Sequence, residues 1–77
     1  MKEAFLALSS ELKKFILDET GVSEQKMEGM SDDDLLSIYD KMCDIEVEET
    51  MAAGDDDLSE RGEKAVEIVT IVGNTFD

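Results

Sequence analysis

Histidine and proline are missing from this 77-residue sequence, cysteine occurs once, and lysine and arginine together number 7. Each shortage excludes something. A single cysteine closes no internal disulfide, and without histidine there is no set of zinc or transition-metal ligands. Cys43 stands beside Asp44 rather than a basic neighbour, so it reads as a small packing residue and not a reactive thiol. The lack of proline suits an all-helical chain. So few cations leave no basic footprint for nucleic acid, and the excess of acid would be repelled by anionic lipid. No apolar run nears the ~20 residues that cross a bilayer. No basic segment followed by an apolar one marks a signal peptide, so a soluble, cytoplasmic protein is expected.

Acid is abundant. Aspartate and glutamate number 21, and the formal net charge is −14. Hydrophobic residues still make up 42% of the chain, enough for a core, so the sequence does not read as a disordered acidic tail. Its length fits one small domain, 1–77.

Apolar periodicity divides the domain into helices. Phe5, Leu8, Leu12, Phe15 and Ile16 recur at helical spacing, which predicts a first helix near 2–20 that Gly21 ends, with Ser9 and Ser10 on its solvent face. Residues 21–30 form a connector in which Ser23–Lys26 can make one short turn and Val22 and Met27 plug the end of the bundle. Ser31 and Asp34 resemble a capping box and open a helix near 31–53. On it Leu35, Leu36, Tyr39, Met42, Cys43 and Val47 are expected to share the inner face, with Ile38 and Ile45 beside it. After Gly54 and the run Asp55–Asp57, a cap-like Asp57 is expected to start a helix near 57–75. Its stripe is Leu58, Gly62, Ala65, Val66, Val69, Val72 and Phe76, with Ile68 and Ile71 outside it. Asp57–Arg61 and Glu60–Lys64 are oriented as favourable i, i+4 pairs. The fold class is therefore all-α, a small three-helix bundle.

The aspartate runs invite a calcium reading, but an EF-hand loop needs glycine sixth and glutamate twelfth. From Asp32 those places hold Ser37 and Cys43; from Asp55, Glu60 and Val66; from Asp18, Ser23 and Gly29. No metal site and no cofactor are expected. Paired carboxylates do acid–base chemistry in a cleft that separates their pKa values, and here they lie along solvent faces. A non-enzymatic role follows. The segment Leu12–Met27, LKKFILDETGVSEQKM, resembles the first helix and turn of acyl carrier proteins, which are also small, acidic and helical. That resemblance implies a serine carrying phosphopantetheine in an Asp-Ser-Leu motif at the next helix start. Ser31 occupies such a start but follows Met30 and precedes Asp32, so the motif itself is missing.

Charge is the remaining signal. Asp33, Asp40, Asp44 and Glu48 line one side of the central helix. Like charges at i, i+4 cost a helix roughly 0.2–0.5 kcal/mol per pair, and Glu46, Glu48 and Glu49 crowd the half where the macrodipole disfavours anions. Solubility could be reached with mixed charge at less cost. Successive carboxylates about 6 Å apart on a rigid rod resemble a nucleic-acid backbone. In size, charge and lack of catalytic motifs the chain resembles the small acidic helical inhibitor and accessory proteins of phage and mobile elements, such as anti-restriction and anti-CRISPR proteins. That resemblance implies a nucleic-acid mimic that docks on or blocks a basic, nucleic-acid-binding protein. The expected contact residues are Asp33, Asp40, Asp44, Glu48, Asp55, Asp56 and Asp57, with no direct contact to nucleic acid or membrane. The alternative is a helical interaction or homodimeric assembly domain that works through Ile38, Ile45, Ile68 and Ile71.

Overall fold

A computed structural model describes residues 2–74, and all of their regular secondary structure is helical. The elements in order are α1 (Lys2–Leu6), α2 (Ser10–Thr20), α3 (Glu24–Glu28), α4 (Asp32–Ala53) and α5 (Glu60–Gly73). Four of them open on a serine. The hydroxyls of Ser9, Ser23, Ser31 and Ser59 accept from the backbone N–H of Leu12, Lys26, Asp34 and Gly62 at 3.3, 3.2, 3.3 and 3.1 Å. Each satisfies a donor that the first helical turn leaves without a partner, a contribution of about 1 kcal/mol per cap.

Two of these caps revise the expected elements. The single helix near 2–20 is broken at Ser9, which has extended backbone (φ −63°, ψ 160°) and starts α2 instead of lying within a helix. A serine hydroxyl competes with the helical backbone for hydrogen bonds, and here the competition ends α1. Five residues make no stable helix alone. α1 is held by fully buried Phe5 and by Lys2, whose ammonium donates to the Glu28 carbonyl at 2.9 Å and ties it to α3. The second revision is at α5, where Ser59 and not Asp57 is the cap. Gly21 ends α2 as expected, with φ 77° and its N–H donating to the Leu17 carbonyl at 2.8 Å.

α4 and α5 form the main packing pair, joined by the turn after Gly54. A Cβ placed on Gly62 would lie 2.9 Å from Glu49 Cβ, and one on Gly73 3.1 Å from the Tyr39 hydroxyl. These two approaches fix the pair as antiparallel, with its backbones close at Gly62 and the Tyr39 ring between them at Gly73. α1 and α2 cover one side of it. The core between them contains Phe5, Ile16, Met27, Leu35, Met42, Ile45, Ile68 and Val72, all essentially solvent-free. Burying one such side chain is worth roughly 1.5–3 kcal/mol.

The inner faces of both long helices differ from the expected ones. On α4 the buried residues are Leu35, Ile38, Met42 and Ile45; Leu36 and Val47 are exposed, and Cys43 is half-buried. On α5 they are Gly62, Ala65, Ile68 and Val72, while Val66 and Val69 are half-buried. Ile38, Ile45 and Ile68 are therefore core residues and offer no surface for assembly; of the four isoleucines named for that role only Ile71 is exposed. Each helix has more apolar side chains than one face can bury. On α4 the set that packs into the core is the one spaced 3-4-3, Leu35, Ile38, Met42 and Ile45. Phe76 lies outside the described residues.

Candidate protein-docking surface

α4 is a rod of 22 residues, which makes it about 33 Å long. At about 100° per residue, Asp33, Asp40, Asp44 and Glu48 fall within roughly 80° of arc on the side away from the core. All four are exposed. Asp55, Asp56 and Asp57 follow in the turn before α5, also exposed, and Asp56 and Asp57 border a shallow depression of about 240 Å³ with Ala52, Ala53, Glu49 and Ser59. The row and the turn thus make two acidic stretches, one along α4 and one past its end.

Three of the seven cations pair with carboxylates outside Asp33, Asp40 and Asp44. Lys13 pairs with Glu24 at 2.6 Å, and Lys64 lies between Glu11 at 3.5 Å and Glu60 at 3.4 Å. Arg61, the one arginine in the chain, is taken up by other carboxylates than Asp57. Its Nε and Nη2 donate to the two oxygens of Glu19 at 3.1 and 2.8 Å, and its Nη1 donates to Glu49 at 2.8 Å. Ser59 adds a hydrogen bond to the other Glu49 oxygen at 3.0 Å. The guanidinium therefore clasps the end of α2 to the second half of α4. Its hydrogen bonds hold the Glu19 carboxyl below the usual range; those from Arg61 and then Ser59 do the same for Glu49. Glu48 stands 3.9 Å from Arg61 Nη1, so the acidic row is partly neutralised at that end. Among the described residues Asp33, Asp40 and Asp44 have no cation within ion-pair distance.

The clasp joins positions 42 and 12 residues apart, and helical spacing contains no sign of it. The one available signal was that the chain has a single arginine, the side chain suited to forked pairing with carboxylates.

Beside the acidic row runs an apolar stripe in which Leu36, Cys43 and Val47, expected on the inner face, are joined by Met51. Leu36 is 40% exposed, Val47 57% and Met51 78%. Cys43 lies between them, half-buried, its thiol held above the ordinary range by burial. A further open groove of about 480 Å³ lies between α2, the connector and α4, lined by Val22, Met30, Ile38, Glu19, Asp34 and Lys41 among others. Among the described residues no group of three or more His, Cys, Asp or Glu converges as a metal site, and no helix is long and apolar enough to cross a membrane. Compared with protein-family models, curated proteins and solved structures, the chain matches none.

Proposed function

We propose that this chain is a non-enzymatic acidic binding module that docks on a basic, nucleic-acid-binding protein and occupies the surface meant for nucleic acid. The observation that supports this reading is the exposed row on α4. Among the described residues Asp33, Asp40 and Asp44 form no ion pair, although Lys41 shares their helix, while Arg61, Lys13 and Lys64 are spent on other carboxylates. Repulsion left unrelieved on a rod is what a cationic groove would relieve. With a net charge of −14, encounter with such a partner is steered and strongly salt-dependent. Asp55, Asp56 and Asp57 extend the same sign of charge beyond the helix.

Affinity capture at low salt, eluted with rising salt, tests this. The expected eluate is basic proteins whose binding to nucleic acid is lost when the purified chain is added. Reversal of Asp40, Asp44 and Glu48 to lysine should abolish capture and leave helicity intact. Undiminished capture by that variant removes the row from the mechanism. A second reading, assembly of two copies through an apolar helix face, is favoured by the exposure of Val47 and Met51. It predicts a dimer that persists at high salt in sedimentation.

A further inference from the structure

On the back of the α4–α5 pair, turned away from α1 and α2, each helix has an apolar strip with acidic side chains beside it. On α4, Leu36, Cys43, Val47 and Met51 fall within about 80° of arc, centred roughly 150° around the helix from the buried set. On α5, Val66, Thr70 and Ile71 line an open groove of about 410 Å³ on the side opposite Ala65 and Ile68. The antiparallel register set by Gly62 against Glu49 and Gly73 against Tyr39 brings Val66 level with the middle of α4. The margins are acidic on both sides: Asp40 and Asp44 border the α4 stripe, and Glu63 and Glu67 border the α5 groove. Among the described residues no cation pairs with Asp40, Asp44, Glu63 or Glu67, and none lines the α5 groove. Arg61 and Lys64 are drawn to Glu19, Glu49, Glu11 and Glu60, and Lys41 lies on the other flank of α4 at the groove beside α2.

From this arrangement we infer that the back of the α4–α5 pair is the docking groove for one basic amphipathic helix of a partner protein. Leu36, Val47, Met51 and Val66 receive its apolar face, and Asp40, Asp44, Glu63 and Glu67 receive lysine or arginine on its flanks. Charge complementarity selects this occupant. A second copy would set acid against acid, each chain bringing a net charge of −14. From Leu36 to Met51 the stripe runs about 22 Å, room for a helix of roughly four turns. The inference rests on the acidic-module reading for the sign of the partner's charge; the apolar floor is an independent observation.

Two synthetic peptides of about four turns and identical composition, leucine with lysine and arginine, test it. One gathers its leucines on one helical face; its isomer scatters them. In NMR titrations the amphipathic peptide should shift amides around Leu36, Val47, Met51 and Val66. It should bind at least about tenfold more tightly than the isomer, a difference that partial burial of three or four side chains supplies. Leu36→Ser, Val47→Ser and Met51→Ser together should erase that advantage. These positions are exposed, so folding should survive, and Met51→Ser alone should reduce the advantage without touching the core. Asp40→Asn with Asp44→Asn should weaken both peptides and flatten the salt dependence. Equal binding of the two isomers overturns the groove and leaves the charge reading standing. Tight amphipathic binding that ignores salt and the asparagine variant overturns the basic occupant and counts against the acidic-module reading. Binding of neither peptide overturns the groove, with salt-eluted capture deciding the charge reading separately. Self-association of the free chain that the serine variant abolishes makes a second copy the occupant and overturns the proposal.

Discussion

Arg61 shows how much of this small domain can depend on one side chain. It bridges α2, α4 and the start of α5, through Glu19 and Glu49. Arg61→Lys keeps the charge but cannot fork to two carboxylates. It is expected to lower the melting temperature, with Arg61→Ala lowering it further. The carboxyls of Glu19 and Glu49 are held below their ordinary values by these hydrogen bonds. Their contribution is therefore fully present above the unfolded carboxylate range and is lost as pH falls through the depressed folded values. Denaturant midpoints measured across acid pH should fall less steeply in Glu19→Gln than in the parent. Gly62 is the other residue with consequences of its own. Alanine there would gain about 1 kcal/mol of helix propensity, but its Cβ would meet Glu49 Cβ at 2.9 Å. An atom so near the backbone cannot swing aside, and overpacking costs typically about 1–3 kcal/mol. Gly62→Ala should be destabilising overall, by about 1 kcal/mol, in urea unfolding.

Among the elements, α4 presents two apolar stripes and one acidic row, and each can be altered separately. Asp44 has like-charged i, i+4 neighbours on both sides, Asp40 and Glu48. Asp44→Asn removes both repulsions and should stabilise the domain by roughly 0.5 kcal/mol, read as a raised melting temperature. Ser9→Ala should have the opposite effect, a loss of about 1 kcal/mol, because Ser9 caps α2 and is not a residue within a longer helix. The α4 boundaries were legible in the sequence because Ser31 and Gly54 are local signals. Its inner face was not. Leu35, Leu36, Tyr39, Met42, Cys43 and Val47 form as regular a stripe as Leu35, Ile38, Met42 and Ile45, and periodicity does not rank them. The same ambiguity put Ile68 outside α5's stripe, although it is fully buried.

Over the whole molecule, 21 acidic residues face 7 basic ones. Self-repulsion of that size opposes the compact state, and it is screened as the Debye length shrinks from about 30 Å at 0.01 M salt to 10 Å at 0.1 M. The melting temperature should therefore rise with added sodium chloride over this range. A fall would mean that the Arg61 and lysine pairs outweigh the repulsion. Partner binding should move the other way and weaken with salt.

Composition and local pattern alone determined that the chain is all-α, where Ser31, Gly21 and Gly54 bound its helices, and that the surface is acidic. These follow from short-range chemistry: caps, left-handed turns, apolar spacing and the count of charges. Only the tertiary structure decided which stripe of α4 is buried, that Ile38, Ile45 and Ile68 are core, and that Arg61 binds Glu19 and Glu49 and not Asp57. A helix with two apolar faces leaves its orientation open until neighbouring helices cover one of them. A salt bridge across 42 residues exists only after the chain has folded back on itself.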